Sequence, residues 1–169
     1  MSETNPNAGL PPKAQVQFDC HGKATGKMRN DLAVHMIKPF QEGPFEMATD
    51  EGPFHGGDAT APPPLALFVA GLTGCIMTQI RAFAKRMDVK LTDLDVKTSV
   101  VWDWEAKGRL YETAPYSFDI DVLIESDDEQ DKVVALIEAA KKGCFIEQTL
   151  GRSNAIRHRL KTPDGWIDV

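Results

Sequence analysis

Residues 62–87 read PPPLALFVAGLTGCIMTQIRAFAKRM, and the reading of this stretch decides the fold. Pro62, Pro63 and Pro64 suit the entry to a helix, where the missing N–H costs nothing and φ is already set. The helix is expected to run to about Met87. Along it Val69, Ile76, Ile80, Phe83 and Met87 recur at spacings of seven, four, three and four, which makes one continuous apolar stripe. Arg81, Lys85 and Arg86 mark the wetter side near the C-terminal end, where cations also favour the helix dipole. The apolar run from Leu65 to Met77 is shorter than the roughly 20 residues of a membrane span and contains two glycines and a threonine. The expectation is a core helix. Cys75 lies one position off the stripe, on a small and slightly polar face with Gly71, Thr78, Gln79 and Ala82.

Outward from this helix the chain alternates between strand and turn signals. Ala14 to Cys20 alternates apolar and polar, the Gly22 to Gly26 region gives a turn, Asp31 to Ile37 reads as a second strand, and Phe45 to Ala48 as a short third. Residues 50–64 are dense in Gly, Pro and Asp, as a functional loop would be. After the helix, Val96, Thr98, Val100, Trp102 and Trp104 share one strand face. Beyond an Ala106-Lys107-Gly108 turn, Tyr116, Phe118, Ile120, Val122 and Ile124 repeat the pattern, which predicts a hairpin with one buried face. Ser126 is the expected N-cap of a second helix whose buried stripe is Val133, Leu136, Ile137 and Ala140 and whose end is Gly143. A last strand is expected around Ala155 to Leu160, with a turn at Thr162-Pro163-Asp164-Gly165. The order is three strands, helix, two strands, helix, strand. This is an α+β fold, with residues 1–12 as a loose arm and 13–169 as a single domain.

Composition narrows the function. A chain of 169 residues buries enough surface to hold a core without crosslinks. Its net charge of -6 argues against nucleic-acid and anionic-membrane partners. Three cysteines are too few and too odd for a secreted disulfide framework, and the N-terminus shows no basic region followed by an apolar one. The expected compartment is the cytoplasm.

Two thiols stand in distinctive settings. Cys75 is in mid-helix, and Cys144 follows the glycine that closes the second helix, where a new helical turn over residues 145–150 would aim unpaired N–H groups at its sulfur. From the residues alone they read either as a redox pair or as two buried small hydrophobes, since free cysteine is among the most buried residue types. Cys20, at a strand end with no motif around it, reads as structural.

The run from Gly56 to Cys75, GGDATAPPPLALFVAGLTGC, resembles the signature of the OsmC/Ohr family, in which a glycine-rich loop and a proline lead into a helix with a small-small-Cys step. Residues 143–150, GCFIEQTL, resemble the segment that carries the family's other thiol, and the element order agrees over nearly the whole chain. The resemblance implies an intertwined homodimer whose central helices pack between two sheets, with the active sites at the interface. It also implies reduction of organic hydroperoxides: Cys75 would be the peroxidatic thiol, Cys144 the resolving thiol, and an external dithiol the reductant, with no cofactor and no metal. Arg29, the only arginine before the long helix, is the candidate thiolate stabiliser, and Gly57, Pro64, Phe68, Gln79 and Phe145 are the candidate pocket residues. Two positions depart from the family pattern. The glutamate that follows the helix-entry proline and orients the arginine is replaced here by Leu65 and Ala66, and Phe145 stands where a proline often follows the second cysteine. The missing acid supports a second reading, a non-catalytic dimer of the same fold that binds an apolar small molecule at the subunit interface.

Other chemistries lack their residues. Cys20, His21, His35, His55 and His158 show no zinc-ligand spacing, although His55 beside Gly56 and Gly57 could line the mouth of a site. There is no nucleophile elbow, and the glycines of the loop over residues 50–58 form no phosphate cradle. The acidic run from Glu125 to Asp131 reads as a solvated helix start. Trp102 and Trp104 read as core or dimer-facing rather than ligand-stacking.

Overall fold

The computed structural model describes residues 13–169, so the arm expected over residues 1–12 lies outside the described residues. The elements are β1 (Gln17–Ala24), β2 (Asn30–Lys38), β3 (Glu42–Thr49), a 3-10 turn (Pro53–His55), α1 (Pro64–Met87), β4 (Asp93–Lys107), β5 (Leu110–Glu125), α2 (Gln130–Gly143), α3 (Phe145–Leu150), β6 (Arg159–Thr162) and β7 (Gly165–Asp168). They fall into two compact units, the first comprising residues up to 73 with 95–123, the second 74–94 with 124–169.

The first unit contains the antiparallel sheet β1-β2-β3. In it Cys20 pairs with Val34, and Asn30 pairs with Thr49. Cys20 is therefore within β1 and exposed, not at a strand end. The strand also runs through Gly22 to Ala24, and the bend comes later, at residues 26–28, closed by Thr25 N–H donating to the Arg29 carbonyl at 2.9 Å. An aromatic cluster joins the start of α1 to the hairpin: Phe68 meets Trp102 at 5.9 Å and Phe118 at 6.5 Å, all edge-on. The alternation expected of β4 holds for Val96, Thr98, Val100 and Trp102, which are buried or half-buried. Trp104 is 61% exposed and stacks edge-on with Tyr111, which removes the core reading for that residue. Tyr116, expected on the buried face of the hairpin, is likewise exposed.

The second unit holds the thiols. Its buried residues include Ile76, Ile80 and Ala84 of α1, Val89 after it, and Leu136, Ala140 and Cys144 of α2 and its end. The apolar stripe of α1 thus runs Leu72, Ile76, Ile80, Ala84, shifted slightly from the stripe read off the sequence, with Val69, Phe83 and Met87 half-buried beside it. At 24 residues α1 is long and apolar enough to cross a membrane by length and composition, contrary to the expectation from the shorter run Leu65 to Met77. Within the chain Leu72, Ile76, Ile80 and Ala84 of α1 are buried, and only 17% of its most apolar window is.

Ser126 does not cap α2. Its hydroxyl accepts the Asp128 N–H at 3.1 Å, which closes a turn three residues too early, and α2 begins at Gln130 after Glu129. Asp128 takes over the anchoring, accepting Lys90 N–H at 2.7 Å and Lys132 Nζ at 2.7 Å. The tail also differs from expectation. The last strand starts at Arg159 rather than Ala155, and residues after the Pro163 turn form β7, which pairs Leu160 with Ile167 and stacks Arg159 over Trp166.

One close approach holds the second unit together. A Cβ added at Gly143 would stand 2.6 Å from Phe83 Cζ and 3.4 Å from Gln79 Oε1, so only glycine lets the end of α2 lie on this face of α1. Gly143→Ala must displace the Phe83 ring, and overpacking of this kind costs about 1–3 kcal/mol. Urea unfolding should show a lowered midpoint with an unchanged slope, largely restored when Phe83→Leu is added to Gly143→Ala.

Candidate functional site

Cys75, Gln79 and Phe83 succeed one another at spacings of four along α1 and so share a helical face. The junction between α2 and α3 covers that face. Cys144 is the junction: with φ -74° and ψ 111° it is extended, ending α2 and preceding α3. Its carbonyl accepts Gln148 N–H at 2.9 Å, and Gln148 Nε2 donates back to the Lys141 carbonyl at 3.0 Å, which fastens the short helix to the longer one. Cys144 is wholly buried and Cys75 half-buried; both are free thiols, and Cys75 is among the neighbours that act on the Cys144 thiol.

The expectation that a helix start activates Cys144 is corrected. Burial pushes its thiol up to about 11, and the Glu147 amide, which acts in the opposite direction, is the weaker influence. The neighbouring Cys75 and the Glu147 carboxyl raise it further. Desolvation of an anion outweighs one amide because α3 is only six residues long and offers little accumulated dipole. Glu147, not among the expected site residues, stands one turn after Cys144. Burial raises its carboxyl as well, and Oε2 is withdrawn from solvent with no hydrogen-bond partner among the described residues.

The remaining site candidates divide between the two units. Gln79 faces Gly143 beside the thiols, and Phe145, the first residue of α3, is 60% exposed. In the first unit Pro64 opens α1 and is exposed, and Phe68 is engaged in its aromatic cluster. Gly57 is buried where a Cβ would stand 1.9 Å from the Glu51 carbonyl oxygen and 3.0 Å from Asp50 Oδ1. It therefore belongs to a loop built around Asp50.

That loop also holds Arg29. Its Nε donates to Asp31 Oδ1 at 3.0 Å, and Nη1 donates to Thr60 Oγ1 at 3.0 Å and to the Thr60 carbonyl at 3.3 Å. Thr60 in turn donates from its amide and hydroxyl to Asp50 Oδ2 at 2.9 and 2.7 Å. Asp50 is almost wholly buried. Its carboxyl is held below the usual range, chiefly by the Thr60 bonds and to a smaller degree by the Arg29 charge. Arg29 is thus an oriented residue rather than a loosely solvated one. Asp31 pairs with it directly, and Asp50 supports it through Thr60, so acids are present although Leu65 and Ala66 are not acidic. Asp50 and Thr60 were not among the residues expected to matter; an Asp and a Thr ten apart in a Gly/Pro-rich loop carry no local signal of this bond. His55 contacts Glu51 and Tyr111 at 3.4 and 3.3 Å. No cluster of three or more metal-ligating side chains occurs among the described residues.

Comparison with known proteins places these features in a lineage. The family profile described as OsmC-like protein matches residues 56–159, which include both thiols. No curated protein matches the chain. Among solved structures, an OsmC-like hydroperoxide resistance protein from Jannaschia sp. CCS1 is 63% identical, covering 91% of this chain and 98% of that one, with a TM-score of 0.64. An organic hydroperoxide resistance protein from Elizabethkingia anophelis, bound to thiocyanate, is 19% identical over 82% of this chain and 89% of that one, with a TM-score of 0.57. Another from Legionella pneumophila is also 19% identical, over 80% and 88%, with a TM-score of 0.53. The last two show the fold.

The buried Cys144 thiol makes a pH prediction. Below its ordinary value of 9.0 both folded and unfolded chains hold the proton, and its contribution to stability is full; it is lost as pH rises to about 11, because the unfolded chain ionises first. Urea titrations between about pH 8 and 11 should show a loss of roughly 2–3 kcal/mol that Cys144→Ala abolishes.

Proposed function

The chain belongs to the OsmC-like family, and from that premise we propose that it protects against peroxides as a thiol-dependent peroxidase acting on organic hydroperoxides. The observation that carries this reading is that Cys75 and Cys144 are both free and are neighbours, Cys75 being one of the groups that act on the Cys144 thiol. The hydroperoxide resistance named for the 63% identical Jannaschia protein supports it.

Burial of Cys144 divides the work between the two thiols. At neutral pH a thiol of pKa about 11 is ionised in only about one molecule in 10⁴, so Cys144 is a poor first nucleophile and Cys75 attacks the peroxide. The Cys75 thiolate takes the distal oxygen, the O–O bond breaks, and the leaving alkoxide is protonated to an alcohol. The resulting sulfenic acid condenses with the Cys144 thiol, forming the S–S bond and releasing water. An external dithiol then reduces the disulfide, becoming a disulfide itself, and restores both thiols. The working form is a cytoplasmic homodimer. The exposed Gly71 and Gly74 of α1, with nothing within 4 Å of a Cβ at Gly74, leave that face of the helix open to a second copy.

Consumption of an aryl hydroperoxide with a small dithiol tests the reading. Cys75→Ser should fall at least about 100-fold, to background, while Cys144→Ser should still undergo one rapid oxidation and then turn over slowly. Equal consumption by wild type and Cys75→Ser would leave the chain a non-catalytic binder of apolar molecules.

A further inference from the structure

We propose that Glu147 is the general base of the resolving step, taking the Sγ proton of Cys144 as that sulfur attacks oxidised Cys75. The proposal rests on the thiol-pair reading and extends it to a residue which that reading leaves unused.

The need for a base follows from the position of Cys144. It is wholly buried at the α2–α3 junction, so bulk water does not reach it to carry its proton away. The Glu147 carboxyl, one turn after Cys144 in α3, is a neighbour of the thiol, and each acts on the other. A Glu three residues after the first cap position of a helix ordinarily reaches back to the cap. Here the cap residue is a cysteine, so that position sets the carboxyl beside the reacting group. The carboxylate is also free to accept. Oε2 has no hydrogen-bond partner among the described residues, and Lys141, the cation that acts on Glu147 from α2, is itself paired with Glu138 Oε1 at 2.8 Å. From α1 the junction receives Cys75 and the neutral Gln79. Burial raises the carboxyl from its ordinary value, the direction that makes a carboxylate the better base.

The charge balance favours transfer over simple ionisation. A Cys144 thiolate beside a Glu147 carboxylate would place two anions in a buried site, and the carboxylate does raise the thiol. Moving the proton between them leaves one negative charge throughout. The Cys144 S–H bond breaks with its proton on Glu147, the Sγ–Sγ bond forms, and the S–O bond of the Cys75 sulfenic acid breaks. The departing hydroxide collects the proton from Glu147 and leaves as water, which regenerates the carboxylate. The Cys144 sulfur is oxidised and the sulfenic sulfur reduced by the same amount, so no other reactant enters.

The step can be isolated from peroxide chemistry. In full-length protein carrying Cys20→Ser to remove the exposed thiol, 4,4′-dithiodipyridine modifies Cys75 and releases one pyridinethione, and attack by Cys144 on that mixed disulfide releases a second. Glu147→Gln should slow the second release at least about tenfold, leave the first within about threefold, and make closure climb with pH into the range of the unassisted thiol; Glu147→Asp should recover part of the rate. A second release in Glu147→Gln that matches wild type in rate and pH profile overturns the proposal. So does equal slowing of both releases with an unchanged profile, which marks Glu147 as structural. Absence of a second release from wild type overturns it too. A wild type that closes in this assay but does not consume hydroperoxide removes the peroxidase reading and leaves the role of Glu147 standing.

Discussion

The absence of a side chain at Gly143 is the constraint on which the candidate site depends. Because nothing projects there, Phe83 and Gln79 can lie against the end of α2, and Cys144, the next residue, enters the core beside Cys75. The contact is steric rather than conformational. No unusual backbone angle is required of Gly143, only the space that a Cβ would fill at 2.6 Å from the Phe83 ring. A pair of cysteines separated by 69 positions in sequence is thus made local by one glycine and one phenylalanine.

Burial then gives the two thiols different properties. Cys144 gains a position that water does not reach and loses its readiness to ionise, while Cys75 remains half-buried on the helix face. A resolving thiol can tolerate a high pKa if a base stands next to it, whereas an attacking thiol cannot. The same burial that unsuits Cys144 for the first step therefore makes Glu147 consequential. In the other unit the acid missing at Leu65 and Ala66 does not leave Arg29 unheld, because Asp31 and the Asp50–Thr60 pair fix its guanidinium.

Much of this was legible in the sequence, and the reasons are local. The triple proline and the apolar stripe define α1 to its last residue, Met87, and period-two alternation locates β4 and β5. What escaped depends on contacts between distant residues. Ser126 has the composition of an N-cap, but the Asp128 bonds to Lys90 and Lys132 delay the helix to Gln130. Trp104 follows the alternation of its strand and is nevertheless exposed, since alternation specifies a face and not what covers it. Cys144 was expected to be activated by a helix start, and the cost of desolvation reversed that. For Glu147 a signal did exist: three residues after a cysteine that precedes a helical turn, a glutamate is placed to turn back on it. Asp50 and Thr60 gave none.

The central claim is that Cys75 and Cys144 are chemical partners. Peptide mass mapping of the protein after one equivalent of organic hydroperoxide, quenched by thiol alkylation, tests it most directly. The account predicts a peptide pair joined through Cys75 and Cys144, formed in step with alcohol release, with Cys20 still alkylated. Alkylated Cys144 together with Cys75 unmodified, or joined to Cys20, would contradict it.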